Sequence, residues 1–129
     1  RLRDHSGSPR EQATRLIGLL FPPATAAEVD REFGELVAAA RAALSPATLR
    51  AQEAAMEAWH REEPALPAER PPTLVAHGRE DAVAPAANAP LLGERWGAAA
   101  INLLDGCGHA VMAQEPRHLA AAIAAHCGG

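Results

Sequence analysis

The sequence of 129 residues contains no lysine and no tyrosine, and only 3% of its residues are aromatic. Every strongly basic side chain is therefore an arginine, so neither a Schiff-base lysine nor a tyrosine acid is available for catalysis. Two cysteines, Cys107 and Cys127, are too few for a disulfide framework and lack the paired spacing of a zinc site. The sequence thus predicts reduced thiols, no metal site and no cofactor.

The sequence also lacks a basic stripe, a membrane-spanning apolar run and a signal peptide. The net charge is −4 and no basic stripe is present that could neutralise phosphates, so nucleic acid is not an expected partner. No apolar run approaches the roughly 20 residues that span a bilayer, and the first residues, RLRDHSGSPREQ, lack the apolar core of a signal peptide. With 48% apolar residues, the chain is expected to fold as a cytoplasmic protein that does not interact with membranes.

The first half of the chain carries helix signals. Ser8 and Glu11 have the spacing of a capping box, and Pro9 suits the first helical position. Thr25 and Glu28 repeat this spacing ahead of an apolar pattern of helical period, and Ser45 precedes a third such pattern. The predicted helices span residues 9–20, about 25–44 and about 45–60, and a proline-rich linker follows at 61–72.

The second half of the chain has a different pattern. Residues 73–76 and 100–104 are continuous apolar runs, typical of strands buried on both faces. Helices are predicted at 86–96 and from Pro116 to His126, which makes a βαβ unit with parallel strands. Because two parallel strands bury little surface, we expect a larger sheet whose other strands lie in polypeptide outside these residues.

A polar segment follows each predicted strand at once, HGRED after the first and DGCGH after the second. The carboxyl ends of parallel strands meet at one edge of a sheet, so Asp81 and His109 are expected on neighbouring loops. An acid that orients an imidazole, with the imidazole as general base, makes two of the three parts of a catalytic triad. The sequence therefore predicts an Asp81 and His109 pair.

The segments PPTLVAHGREDAVAP and AINLLDGCGHAVMAQEP resemble the C-terminal half of an α/β-hydrolase fold enzyme. The resemblance implies an α/β fold class, with the C-terminal portion of that fold, short parallel strands with flanking helices, preceded by a helical cap region. It divides the chain into a cap at 1–67 and a βαβα core segment at 68–129. It also implies that Asp81 is the triad acid and His109 the triad base, in the family's order of serine, acid and histidine.

The expected GxSxG nucleophile motif is absent from the chain. Its serines, Ser6, Ser8 and Ser45, have no flanking glycines at that spacing and do not follow a buried strand. Cys107 is a poor substitute, because it lies two residues before His109 on the same turn.

Other residues near these motifs have simpler roles. His77 is expected to be structural, and a metal site formed by His77, Asp81 and His109 is disfavoured by its spacing. Met56 and Trp59 are expected mainly to pack, with a secondary role in lining a substrate pocket below the cap.

Taken with the resemblance, these residues predict an enzyme that hydrolyses a small ester, lactone or similar acyl compound without a cofactor. Its nucleophile segment would lie outside these 129 residues. The alternative is a truncated, non-catalytic relative of the hydrolases that acts as a binding or oligomerisation module. This alternative predicts a homodimer that covers the exposed face of the small sheet.

Overall fold

The structure, a computed structural model, describes residues 4–62, 65–97 and 100–128. Of these residues, 61% are helical, and the remaining regular structure is one small sheet. The elements in chain order are α1 (Pro9–Leu20), α2 (Pro23–Ala43), α3 (Pro46–Arg61), β1 (Leu74–Gly78), α4 (Asn88–Trp96), β2 (Ala100–Leu104), α5 (Val111–Gln114) and α6 (Pro116–Cys127).

Two of the three predicted helix caps are confirmed. The backbone amide of Glu11 donates to Ser8 Oγ at 3.3 Å, and the amide of Ser8 donates back to Glu11 Oε2 at 2.7 Å. Ser45 Oγ accepts from the amide of Thr48 at 3.1 Å. The predicted cap at Thr25 is wrong, since α2 begins at Pro23. Proline suits the first helical turn because it has no amide hydrogen to leave unpaired there.

Helices α1 and α2 pack together as a hairpin over small side chains. Ala13 and Ile17 of α1 and Ala38 of α2 are buried. Gly34 lets the guanidinium of Arg10 lie against α2, because a Cβ atom at this position would lie 2.7 Å from Arg10 Cζ. Arg10 then forms two hydrogen bonds with the Asp30 carboxylate, at 2.8 and 2.9 Å, which hold the hairpin together at one end.

The predicted βαβ unit is confirmed. Strands β1 and β2 are parallel neighbours whose register runs from Leu74 opposite Ala100 to Gly78 opposite Leu104. Helix α4 connects them and packs on both. Both strands therefore end at the same edge of the sheet, which is the geometry that brings the two polar loops together.

The expected burial of both strand faces is wrong. Residues 74–77 of β1 are only half-buried, and the Ile101 side chain of β2 is 44% exposed. Helices α4 and α6 contact the sheet, but no third strand pairs with either edge among the described residues. A run of apolar residues shows that a strand can be buried, whereas its actual burial depends on the elements around it.

The predicted fold class is also wrong. An α/β-hydrolase-like arrangement requires a large sheet, and the described residues form a mostly helical structure with two short parallel strands. The two motifs behind the prediction specify strand ends and loops, and these local features do not fix the number of strands. The predicted linker at 61–72 lies partly on residues 63 and 64, which are outside the described residues, and 65–73 contain neither helix nor strand.

No helix within the described ranges combines the length and the apolar character needed to cross a membrane.

Candidate active site

The loops that follow the two strands are joined by backbone hydrogen bonds. The amide of Arg79 donates to the Leu104 carbonyl oxygen at 3.0 Å, and the amide of Glu80 donates to that of Cys107 at 2.9 Å. Gly78 is required at this junction because a Cβ atom there would overlap the backbone carbonyl groups of Cys107 and Gly108. The close approach of the two loops fixes the relative positions of the side chains that come next along each of them.

Asp81 and His109 are in direct contact. His109 Nδ1 lies 2.8 Å from Asp81 Oδ2, and because an ionised carboxylate can only accept, Nδ1 carries the proton and donates it. The Asp81 side chain is 4% exposed, while that of His109 is 43% exposed. The juxtaposition expected from the parallel strand ends is therefore present.

The buried carboxylate of Asp81 is held in its ionised form by three donors. Its Oδ1 atom accepts from the amides of Val83 and Ala84 at 2.7 and 2.8 Å, and Oδ2 accepts from His109. Burial alone would raise the pKa of Asp81, but the hydrogen bonds from Ala84, His109 and Val83 together outweigh it and lower that pKa. Asp81 is thus a fixed negative charge beside the imidazole.

His109 is positioned by a glycine turn and by a nearby glutamine. Gly106 has a φ of 69°, a left-handed conformation that favours glycine. Gln114 braces this turn, since its Oε1 atom accepts from the amide of Gly108 at 2.8 Å and its Nε2 atom donates to the Gly106 carbonyl oxygen at 3.1 Å. Gln114 was not among the predicted site residues, and its only signal in the sequence is a polar side chain in an apolar stretch after the turn.

The α1–α2 hairpin meets the histidine loop at Leu20. The amide of Ala110 donates to the Leu20 carbonyl oxygen at 3.1 Å. A Cβ atom at Gly108 would lie 2.7 Å from the same oxygen, so glycine permits this close approach. The helical hairpin therefore helps to set the position of His109, a contact that sequence analysis also missed.

His77 lies beside the pair but does not share its hydrogen bond. Its Nδ1 atom donates to the Gly78 carbonyl oxygen at 2.8 Å. Nε2 lies 3.7 Å from Asp81 Oδ2. His77 is largely buried and shields the carboxylate from water, a placement that fits the structural role expected for it.

The remaining predicted site residues lie elsewhere. Met56 and Trp59 are exposed on α3, a helix without buried residues. A groove of about 600 Å³ runs along Asp105, Gly106 and Cys107, and its other lining residues come from the region of α2 and from around α5. The substrate-lining role of Met56 and Trp59 stays a prediction. Within the described ranges, no group of three or more His, Cys, Asp or Glu residues is arranged to hold a metal ion.

The hydroxyl and thiol groups considered as nucleophiles are engaged in other contacts. Ser6 Oγ donates to Asp4 Oδ1 at 2.6 Å, whereas Ser8 and Ser45 cap helices. Burial raises the pKa of the Cys107 thiol, and nearby carboxylates raise it further, so Cys107 remains a neutral thiol that is only 2% exposed.

The site can therefore orient an imidazole beside a buried negative charge. His109 Nε2 has no hydrogen-bond partner among the described residues and is the nitrogen that can accept a proton from a reacting group.

Comparison of the chain with protein-family models, with curated proteins and with solved structures finds no match.

Proposed function

We propose that Asp81 and His109 form the acid and base of a Ser-His-Asp type centre that hydrolyses a small ester, lactone or similar acyl compound. The observation that supports this function best is the 2.8 Å contact between a buried, ionised carboxylate and an exposed imidazole. The resemblance of the two loop motifs to those of α/β-hydrolases supports the same chemistry. The proposal does not depend on the fold expected from that resemblance.

The mechanism follows from the orientation of the imidazole. His109 Nε2 removes the proton of a serine hydroxyl, and the oxygen attacks the carbonyl carbon of the substrate. Asp81 stabilises the imidazolium that forms and keeps its Nδ1 proton in place. His109 then returns the proton to the leaving group, and water hydrolyses the acyl-enzyme by the same route. No cofactor takes part in these steps.

The serine itself is proposed to lie in polypeptide outside these 129 residues, because the chain has no GxSxG motif. A cytoplasmic location belongs to the same proposal and is supported by two cysteines that are both free.

A fluorophosphonate probe, which modifies activated serines covalently, tests this function. The 129-residue chain should not be labelled, whereas a chain extended by the flanking coding sequence should be labelled and should hydrolyse activated esters. The His109→Ala and Asp81→Asn substitutions should abolish both in the extended chain, with the exposed Glu94→Gln as control. An inactive extended chain contradicts the hydrolase function. Labelling of the 129-residue chain that depends on His109 contradicts the external serine.

A second candidate, a self-associating module, is supported by the exposed surface of the chain. The accessible surface is 8760 Å² for a mass of 13.5 kDa, whereas a monomeric protein of this mass exposes about 6,500 Å². The excess, roughly 2,200 Å², is more than the ~800 Å² that each partner buries in a standard interface. Apolar side chains at Leu36, Met56 and Trp59 contribute to this exposed surface on α2 and α3.

The sequence alternative placed a second copy on the exposed face of the small sheet; we propose instead that a second copy of the chain covers these two helices. Each helix carries exposed apolar side chains, and α3 buries none of its residues within the chain. In a dimer with twofold symmetry, α3 of each protomer can pack on α2 of its partner. The exposed apolar side chains of both helices would then be buried in one interface.

A further inference from the structure

The groove along the histidine loop is lined by apolar and by negatively charged side chains. Phe21, Val29 and Phe33, contributed by the end of α1 and by α2, are apolar residues of the lining. Asp105 and Glu115 contribute carboxylates to the same lining, which also includes the buried Cys107. The volume of about 600 Å³ is in the usual range for a site that binds a small organic molecule. We call this space the phenylalanine groove.

The electrostatic character of the phenylalanine groove is negative. No arginine or histidine is present among the described residues that line it, which include two carboxylates. One of the two carboxylates is paired with an arginine, since Arg79 Nε lies 2.5 Å from Asp105 Oδ1. Glu115 has no such ion pair among the described residues. Besides burial, the negative charges of Glu115, Glu80 and Asp105 raise the pKa of the Cys107 thiol, as expected beside these carboxylates.

We infer that the phenylalanine groove binds an organic cation, an ammonium group attached to an apolar or aromatic body. The faces of phenyl rings attract cations, and the apolar body of such a ligand would bury surface against Phe21, Val29 and Phe33. The ammonium group would then interact with the Glu115 carboxylate. A ligand of this class would match both the apolar and the acidic residues of the lining.

Other ligand classes fit the phenylalanine groove less well. An anion would meet carboxylates and no cationic side chain in the lining that the structure describes. A neutral apolar molecule would contact the phenyl rings but would remove water from the carboxylates without replacing it by a favourable interaction. The argument for this site does not use the proposed hydrolytic function, because neither His109 nor Asp81 is part of the lining, although Gly106 and Gln114 belong to both.

Three small probes of similar size test this inference on the full chain. They are 2-phenylethylammonium, 2-phenylethanol and 3-phenylpropanoate. The binding of each probe is measured from changes in the backbone amide NMR signals of the protein. The ammonium probe should cause saturable shifts at Gly106, Cys107, Ala113 and Glu115. The ammonium probe should bind about fivefold more tightly than the alcohol, because an exposed cation–π interaction and an exposed ion pair each add a small amount of binding free energy. The 3-phenylpropanoate probe should not bind.

Two substitutions separate the contributions of charge and of apolar contact. Glu115→Gln should weaken binding of the ammonium probe about twofold to threefold, because the cation–π interaction remains, and should leave the alcohol unchanged. Glu94→Gln on α4 is the matched control and should have no effect. Phe33→Ala should weaken binding of both probes. The inference is overturned if the ammonium and alcohol probes bind equally, if shifts occur away from the phenylalanine groove, or if Glu115→Gln has no effect.

Discussion

At the scale of single residues, Asp81 links stability to the candidate site. Its carboxylate is nearly inaccessible to water, yet it accepts hydrogen bonds from two backbone amides and from His109. The same hydrogen bonds that orient the imidazole also stabilise the folded loop, since an ionised acceptor at this position satisfies three donors.

We expect the stability of the protein to depend on pH through Asp81. The pKa of Asp81 in the folded state lies below its ordinary value of 3.8, so its contribution is complete above that value. Stability is lost as the pH falls through the lower, folded-state pKa. Urea unfolding at several pH values between neutrality and pH 2 measures this effect. Asp81→Asn should be less stable than the wild type at neutral pH, and the difference should shrink on acidification.

The exposed neighbour Glu80 provides the control, because Glu80→Gln removes a carboxylate that is not buried. Its stability should follow that of the wild type across the pH range. If Asp81→Asn and the wild type lose stability in parallel on acidification, the buried carboxylate is not responsible for the dependence.

The candidate pair could be predicted from sequence because two strands and two polar segments place Asp81 and His109 at one sheet edge. The role of Gln114 could not, since its hydrogen bonds to Gly106 and Gly108 depend on the path of a six-residue loop. Nor could the contact between Leu20 and Ala110, which joins elements 90 residues apart in the chain.

At the scale of elements, helix boundaries followed the sequence where a cap or a proline fixes them. The capping box of Ser8 and the prolines after Phe21 set both ends of α1, which spans the predicted residues. The start of α2 was misplaced because Pro23 and Thr25 both suit a helix start, and the proline prevailed. Short-range chemistry decides these boundaries, so they are the part of the fold that sequence shows best.

Two glycines inside helices make a matched test of the packing between α1 and α2. Gly18→Ala should stabilise the protein by about 1 kcal/mol, because alanine favours the helix and nothing lies within 4 Å of the added Cβ atom. Gly34→Ala should give no such gain, because its Cβ atom would displace the guanidinium that binds Asp30. Urea unfolding of both variants measures the difference.

A third variant identifies the cause of that difference. In an Arg10→Ala background, Gly34→Ala should become stabilising, as at Gly18, because the obstructing side chain is gone. If Gly34→Ala is equally unfavourable with and without Arg10, contact with the guanidinium is not what excludes alanine.

At the scale of the whole molecule, the proposed dimer makes thermal stability depend on protein concentration. Folded dimers are favoured by mass action, so the unfolding midpoint should rise as the concentration is increased. Leu36→Glu should abolish this rise and reduce the sedimentation mass to that of a monomer. The control Ala42→Glu adds the same charge at an exposed position of the same helix. It should change neither the concentration dependence of the unfolding midpoint nor the sedimentation mass. A folded wild-type monomer at all concentrations contradicts the proposed dimer.

The global fold was the part that the sequence could not provide. The runs at 73–76 and 100–104 indicated strands, but Ile101 shows that an apolar strand residue can stay substantially exposed. The number of strands in a sheet depends on segments that are distant in sequence, and the Asp81 and His109 motifs carry no information on them. The local motifs therefore predicted the contact between Asp81 and His109, whereas the large sheet inferred from the same motifs was wrong.

The contact between Leu20 and the histidine loop couples the α1–α2 hairpin to the candidate site. Phe21, Pro22 and Pro23 join α1 to α2 through a stiff turn, because two successive prolines restrict the backbone. The turn lies against Gly108, and the amide of Ala110 donates to the Leu20 carbonyl oxygen. The backbone on both sides of His109 is therefore attached to the α1–α2 hairpin, so substitutions that loosen the hairpin should also displace the imidazole.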